Sequence, residues 1–340
     1  MAQILEKNKL DEMIARLNGD GCEVFGPRKN DTSSWYGKIS RAEEFCFDQI
    51  LPDRPLKELF FPRTEPMMKY EIKKQQVDAE NYVLPKKQRV IFGARPCDAV
   101  SLTIDDALFA WDACDEFWFE RRENSVIVSI ACNKKDDFCM CTSLKSSPDV
   151  STGSDVLLHE LVDSAGWRVS AITPAGQDFI DKLGDVFSTT STDVSVKPPA
   201  EVPVKFDLDA VIRKLNSPEI FESDFWKTIS VRCVGCGVCT FVCPTCHCFD
   251  IQDEGDVYHG VRRKNWDSCS FAMFTRHASG HNPRPDQASR WRQRIMHKFN
   301  YYLERFGQIS CTGCGRCSRV CPVDMGVTQT LVTLSTNGGK

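Results

Sequence analysis

Two cysteine motifs in the last third of the chain have the residue types and spacing that could do chemistry. CVGCGVCTFVCP places Cys233, Cys236, Cys239 and Cys243 before Pro244, and CTGCGRCSRVCP places Cys311, Cys314, Cys317 and Cys321 before Pro322. Both match C-x2-C-x2-C-x3-C-P, the thiolate spacing that holds cubane iron–sulfur clusters. The sequence therefore predicts two [4Fe-4S] clusters.

The residues between these cysteines suit a loop that wraps a cluster. Two residues between successive cysteines let the chain curl around the cluster and aim backbone N–H groups at its sulfides. Glycines allow the close approach and the positive φ angles that such a loop needs. They are Gly235, Gly237, Gly313 and Gly315. We expect the fourth cysteine to begin a helix, with Pro244 or Pro322 where no N–H donor is needed.

The ligands are expected to cross over between the motifs, because in two-cluster ferredoxins the fourth cysteine binds the other cluster. One predicted set is Cys233, Cys236, Cys239 and Cys321; the other is Cys311, Cys314, Cys317 and Cys243. Zinc is the alternative metal, but zinc sites take two separated CxxC pairs or a Cys/His mixture. The repeated triplets followed by CP fit zinc poorly.

Four more cysteines in the first half of the chain predict a third site. They are Cys97 in ARPCD and Cys132, Cys139 and Cys141 in CNKKDDFCMC. Cys97 and Cys132 each follow a predicted strand, so parallel pairing of those strands would bring both to one sheet edge. The other two lie on the loop that follows. A third [4Fe-4S] cluster is the interpretation that we favour, with a zinc site or free thiols as alternatives.

Composition narrows the class of protein. The 340 residues include 18 cysteines and carry a net charge of −4, with 26% charged residues. The first residues, 1–17, predict a charged amphipathic helix without the apolar core of an export signal. No stretch approaches the ~18 apolar residues of a membrane span. Many cysteines without an export signal favour metal binding in a reducing cytoplasm over disulfides.

Hydrophobic patterns predict two units. A strand over 89–92, a helix over 98–109 and a strand over 125–132 indicate a parallel βαβ unit. Helices are predicted over 208–215 and 288–306. The Ser-, Thr- and Pro-rich segment 189–206 predicts an exposed linker or a long connector. The predicted fold is an α/β N-terminal domain, residues 1–200, followed by an α-helical, ferredoxin-like dicluster domain, residues 201–340.

The 67 residues between the motifs are unusual for a small ferredoxin. Residues 261–305 hold ten Lys or Arg against three acidic residues. These cations could face the clusters and raise their potentials, form a docking face for an acidic partner, or cover a solvated helix face. Cys246, Cys248 and Cys269 have no assigned role; buried thiols are favoured over another metal site. For His247, His277, His281 and His297, a structural hydrogen-bonding role is favoured over metal binding or proton transfer.

Long motifs around the clusters resemble a known family. CPTCHCFDIQD, WDSC, FTRHASGHNPRP and RQRIMHKFNYY, with RPLKELFFPRTEP, VIFGARPCDAVSL, RREN and FCMC upstream, are similar to the 4Fe-4S dicluster family. That family comprises sulfhydrogenase beta subunits, the corresponding subunits of anaerobic sulfite reductases, and electron-transfer subunits of flavin oxidoreductase–heterodisulfide reductase complexes. The resemblance covers nearly the whole chain. It implies single-electron transfer between a FAD/NAD(P)H-binding subunit and a separate catalytic subunit.

Two other classes of function stay open at this point. One is an iron–sulfur enzyme with its own substrate site near Cys97. The other is a redox-sensing iron–sulfur module that binds nucleic acid, although a sequence pI of about 5.9 does not favour a nucleic-acid partner. No dinucleotide-binding glycine motif or phosphate-binding loop is present in the sequence. A chain of electron carriers without an evident flavin or substrate motif depends on partners for chemistry.

Overall fold

The computed structural model describes residues 2–74, 76–191 and 194–336 of the chain. Its strands are β1 Ala2–Glu6, β2 Glu23–Lys29, β3 Ser34–Lys38, β4 Thr64–Lys73, β5 Gln76–Asn81, β6 Arg89–Ala94, β7 Ser125–Ile130, β8 Val156–Glu160, β9 Gly166–Ala171, β10 Ser188–Thr190, β11 Phe249–Gly255 and β12 His259–Trp266. Its helices are α1 Leu10–Gly19, α2 Pro96–Phe109, α3 Glu116–Glu123, α4 Pro174–Leu183, α5 Leu208–Leu215, α6 Pro218–Phe221, α7 Phe225–Ser230, α8 Val238–Phe241, α9 Gln287–Met296, α10 Tyr302–Phe306, α11 Arg316–Arg319 and α12 Val327–Thr336, and a π-helical turn, His297–Tyr301, joins α9 to α10. None of the helices in these described ranges is long and apolar enough to cross a membrane.

An eight-stranded sheet organises the first half of the chain, in the order β10-β1-β9-β8-β7-β6-β2-β3. Its centre is parallel, because β6 pairs in parallel with β2 and β7, and β7 pairs in parallel with β8. The apolar runs of β6 and β7 are buried, as expected for a sheet covered on both faces. α2 follows β6, so the predicted strands, helix and parallel pairing are confirmed.

Separate apolar cores cover the two faces of this sheet. On one face, Leu17 of α1 and Ile180 of α4 pack with Val128 and Trp167. On the other face, Leu102 of α2 packs with side chains that include Phe60 and Trp118. The sheet is therefore covered on both faces by helices and irregular chain. This packing fixes the ends of β6 and β7, which Cys97 and Cys132 follow.

The prediction of one helix over residues 1–17 is wrong for its first part; residue 1 lies outside the described residues. Residues 2–6 form β1, which pairs with β9 and β10, and the helix α1 begins only at Leu10. Leu5 is fully buried in the resulting core. Pairing with a distant strand outweighs the local helical pattern here, since helix propensity is a weak preference.

A second sheet joins the two halves of the chain, in the order β11-β12-β4-β5. β12, from the region between the cysteine motifs, pairs with β4 from the first half. The expected α-helical C-terminal domain is therefore corrected: it contains a β-hairpin that completes a sheet begun by residues 64–81. The buried Lys264 of β12 contacts Glu65 at 3.3 Å and Asp115 at 2.6 Å, which fixes this junction.

The predicted connector, 189–206, is long but is not free of the rest of the molecule. Residues 192–193 lie outside the described residues. Beyond them, the backbone N–H of Ala200 donates to Cys132 O at 2.8 Å and that of Val204 donates to Cys139 O at 3.2 Å. Val202 is buried. The connector thus passes over the loops that carry two of the first-half cysteines.

Helices of the last third pack around the cysteine motifs. α5 begins at Leu208 and ends at Leu215, as predicted, and the Asp207 side chain caps it by accepting from Ala210 N. The predicted helix over 288–306 is confirmed as α9, the π-helical turn and α10. Its apolar stripe, including Trp291 and Ile295, packs in the core that also contains Cys317.

Candidate metal centres

The two cysteine loops have nearly the same backbone shape. All four of their glycines have positive φ: Gly235 68°, Gly237 73°, Gly313 71° and Gly315 73°. One short helix, α8 or α11, follows the second glycine in each loop and carries the third cysteine. The expected helix at the fourth cysteine is wrong: Cys243 and Cys321 follow α8 and α11, and their prolines lie in turns. The third cysteine is close to the helix start instead.

Cysteines of the two motifs approach one another across the loops. Burial raises the pKa of Cys311 to about 12. The nearby Lys298 opposes this rise, whereas the nearby thiols of Cys243 and Cys317 add to it. Cys314 likewise lies beside Cys243. This places the fourth cysteine of the first motif at the second loop; the crossing over of ligands stays a prediction.

The other predicted set is less enclosed. The thiol of Cys233 accepts from Gln287 Nε2 at 3.1 Å, and that of Cys321 accepts from Met325 N at 3.2 Å. Both cysteines border the same apolar core as Cys239. Cys236 is exposed. The first loop therefore brings its predicted cluster to the molecular surface, whereas the second is interior.

The structure gathers the four first-half cysteines next to the second loop. Cys97, Cys132 and Cys141 line one small cavity together with Gly313 and Cys314. Burial raises the pKa of Cys141 to about 12, and the thiols of Cys132 and Cys139 add to the rise. Thiols of raised pKa that share one cavity suit a metal, whose charge would favour the thiolate forms.

Close backbone contacts join this group to the second loop. The N–H of Met140 donates to Gly313 O at 2.9 Å. A Cβ atom added at Gly313 would lie 2.6 Å from Cys141 N and Cα, and one added at Gly315 would lie 2.6 Å from Phe138 O. Both glycines are therefore needed for packing as well as for positive φ. Segment 138–141 therefore packs directly on the second cysteine loop and covers it.

A fully buried ion pair also joins the second cysteine loop to the first half of the chain. Arg316, between Cys314 and Cys317, donates from both terminal nitrogens to the Asp98 carboxylate, at 2.6 and 2.7 Å, and both side chains are 0% exposed. Arg316 Nε also donates to Pro52 O, and Tyr36 Oη donates to Asp98 at 2.8 Å. The carboxylate beside Cys97 is thus bound to the second motif by a bidentate pair.

Three buried cations surround the region between the two motifs. They are Lys57, Arg294 and Lys298, each 3% exposed or less. Arg294 donates to Cys246 Sγ at 3.4 Å and to Cys239 O at 2.9 Å. Burial alone lowers the pKa of Lys298, but the thiols of Cys243 and Cys246 reverse this effect and hold it above its usual value.

These cations provide a test of whether clusters fit. In the described part of the chain, no carboxylate lies within ion-pair distance of any of the three, and the buried Asp105 interacts with Lys57 and Lys298 only over a longer distance. Buried charges need anionic partners, and thiolate-ligated iron–sulfur clusters supply them. The thiols themselves are not at coordination distances: among the described residues, no three Cys, His, Asp or Glu side chains form a ready metal site. The fit rests on donor chemistry, glycine cradles and unpaired cations.

Sequence reasoning did not single out these positioning residues. Arg294 and Lys298 come one position before Ile295 and Phe299, at the edge of the apolar stripe of the same helix. This position beside the apolar stripe is the sequence feature that could have indicated that both side chains are buried. Of the three interpretations of the basic stretch, cluster-facing cations describe these two residues, whereas Arg262 and Arg263 pair with Asp253 and Glu254 at the surface.

The arrangement defines an iron–sulfur electron-transfer subunit of an oxidoreductase. The family profile of the 4Fe-4S dicluster domain matches residues 232–325, which contain both motifs. Over 327 residues the chain is 31% identical to "Sulfhydrogenase 2 subunit beta" of Pyrococcus furiosus, covering 94% of this chain and 93% of that protein. The chain belongs to the 4Fe-4S dicluster family of sulfhydrogenase beta subunits.

Proposed function

We propose that the chain relays single electrons between a FAD/NAD(P)H-binding subunit and a catalytic subunit of hydrogenase, sulfite reductase or heterodisulfide reductase type. The relative's name supports the existence of partner subunits, since it is the beta subunit of a sulfhydrogenase. The observation that carries the proposal is the continuous arrangement of cysteines from the first-half cavity through Cys314 and Cys317 to Cys239.

Two [4Fe-4S] clusters in this proposal use the crossed ligand sets. One set is Cys233, Cys236, Cys239 and Cys321, and the other is Cys311, Cys314, Cys317 and Cys243. Each cluster, when bound, stores one electron at a potential set by nearby charge, hydrogen bonds to sulfur and solvent access. The chain supplies these influences through Gln287 at Cys233 and through Lys298 beside Cys243 and Cys311.

A third cluster is proposed at the first-half cysteines. Its ligands are Cys97, Cys132, Cys139 and Cys141. The shared cavity and its contact with Gly313 and Cys314 support this assignment, because a cluster held there would lie next to the second one. The buried pair of Asp98 and Arg316 then keeps the separation between the two fixed, which steady electron transfer requires.

Electrons are proposed to enter or leave at the first loop. Cys236 is exposed there, and the neighbouring Val231 and Val234 are 79% and 67% exposed. Large apolar side chains left in solvent mark surfaces for partner binding when they lie together. A redox subunit docked on this face would approach the most accessible predicted cluster.

Anaerobic affinity purification of the full chain from its native host tests the proposal. We expect a flavoprotein and a catalytic redox subunit to co-purify, and about 12 iron atoms per chain for three cubanes, or about 8 for two. Val234→Asp should release the partner while retaining the iron, whereas Val77→Asp, at another exposed valine, should not. Zinc in place of iron, or an isolated chain with full activity, would contradict the relay.

A further inference from the structure

Two cysteines outside the predicted ligand sets face each other beside the β11–β12 hairpin. Cys248 directly precedes β11 and Cys269 follows β12. The N–H of Asp267 donates to Cys248 O at 2.9 Å, so the two segments are paired at this point. Both residues line one cavity, and each thiol shifts the pKa of the other.

A cavity of about 330 Å³ opens in front of this thiol pair. Its wall includes Arg284, Phe274 and the imidazoles of His247 and His297. In the described residues, no carboxylate lies within ion-pair distance of Arg284. His247 Nδ1 lies 3.7 Å from the buried Asp105 Oδ1, so this nitrogen faces Asp105. The cavity thus offers an unpaired cation and two thiols.

The two thiols differ in chemical character. The neighbouring Cys248 thiol lowers the pKa of Cys269 to about 6, with Arg294 and Lys298 contributing, although burial acts against it. The Cys269 thiol in turn raises the pKa of Cys248. Burial lowers the pKa of His297 to about 3, so this imidazole is neutral and adds no charge to the cavity wall. A thiolate next to a thiol is the arrangement of a nucleophile and a resolving cysteine.

We propose that Cys248 and Cys269 form a thiol–disulfide exchange site for a small disulfide that carries a carboxylate. The Cys269 thiolate attacks one sulfur of the ligand, forming a mixed disulfide and releasing the first half of the ligand as a thiolate. Cys248 then loses its proton to water, and its thiolate attacks the Cys269 sulfur. The second half leaves as a thiolate and a Cys248–Cys269 disulfide remains. The ligand gains two electrons and the thiol pair loses two.

Each feature of the cavity has a place in this reaction. Arg284 is positioned to bind the ligand's carboxylate, and Phe274 to contact its aliphatic part. The cysteines need no metal and no partner subunit, so the proposal goes beyond the relay and does not depend on it. Arg294, which touches Cys246 Sγ and Cys239 O, connects the pair to the first cysteine loop.

Peptide mapping of the anaerobically purified full chain, with its clusters, tests the site. The chain is reduced, desalted, treated with glutathione disulfide and alkylated. We expect a Cys248–Cys269 disulfide and release of two glutathione molecules per chain. Cys248→Ser should trap glutathione on Cys269, and Cys269→Ser should lose both products. With Arg284→Leu, the preference for glutathione disulfide over uncharged bis(2-hydroxyethyl) disulfide should disappear.

Cys114 provides the matched control, because it is an exposed cysteine away from the cavity. Cys114→Ser should leave the mapped disulfide unchanged, and iron per chain should be equal in all variants. The proposal is overturned if wild-type Cys248 and Cys269 stay unlinked, or if Cys269 in the Cys248→Ser chain reacts no faster than Cys114. It is also overturned if a metal ion beyond the clusters is lost on Cys269→Ser, because the thiols would then be ligands.

Discussion

Replacing Arg316 by Met should destabilise the protein far more than the loss of an ordinary surface ion pair. Arg316 and Asp98 are 0% exposed, and two hydrogen bonds of 2.6 and 2.7 Å join them. Arg316→Met leaves the Asp98 carboxylate buried with Tyr36 as its remaining side-chain donor. Stranding one member of a buried pair costs about 3–5 kcal/mol. For a chain of 340 residues, whose unfolding entropy is about 0.7 kcal/mol/K, that is roughly 4–7 °C in the thermal midpoint.

Thermal unfolding of the anaerobic, cluster-loaded chain measures this effect, with iron per chain as a second readout. Arg316→Met combined with Asp98→Asn should be more stable than Arg316→Met alone, because the amide removes the stranded charge and still accepts from Tyr36. Lys227→Met, at an exposed pair with Asp224, should leave the midpoint unchanged. The reasoning is refuted if Arg316→Met behaves like Lys227→Met, or if adding Asp98→Asn lowers the midpoint further.

Three other predictions concern potentials, pH and iron content. Lys298→Met should lower the reduction potential of the cluster at Cys243 in a redox titration, because it removes a buried positive charge beside Cys243 and Cys311. Two unit charges roughly 7 Å apart at an effective dielectric constant of about 20 interact by about 2.4 kcal/mol, which is about 100 mV for one electron. An unchanged potential would show that the charge is screened. Burial holds the pKa of His297 at about 3, below its unfolded value, so the unfolded state binds the proton first and stability falls as the pH drops below about 6.5. Between pH 7 and 5.5 the loss from this one group is about 1 kcal/mol. His297→Gln should remove that share in unfolding experiments, while His247, whose pKa burial also holds at about 3, keeps its own. His281→Gln, at an exposed position, should leave the pH dependence unchanged. Cys139→Ser should remove about four iron atoms per chain if the third cluster is present, and an unchanged iron content would refute that assignment.

Local patterns predicted those parts of the structure that are determined by neighbouring residues. The apolar run at 89–92 and the helix at 208–215 form where the sequence places them, because burial and the Asp207 cap act over a few residues. The positive φ of the loop glycines also followed from the cysteine spacing. The ligand sets, and the division of the chain at residue 200, remain predictions.

Long-range pairing is what the sequence did not reveal. Residues 2–6 have a helical pattern, yet they form β1 because two distant strands offer hydrogen bonds. The hairpin of β11 and β12 is polar and almost wholly exposed along β11, so it lacks the alternating pattern of a half-buried strand. Its partner, β4, lies nearly two hundred residues away in the sequence. The buried cations escaped notice for a similar reason, since only the folded chain brings them to the thiols.

The two cysteine loops differ in how closely the first half of the chain covers them. Segment 138–141 covers the second cysteine loop so closely that neither Gly313 nor Gly315 could carry a side chain. The first loop has no such cover at Cys236, which is exposed. A cluster at the second loop is therefore shielded from water, while one at the first loop is open to a partner. Since solvent access and nearby cations both change cluster potentials, this asymmetry alone would give the two clusters different potentials. That difference would set the driving force for electron transfer from one cluster to the other, and a free-standing pair of identical loops would lack this source of it.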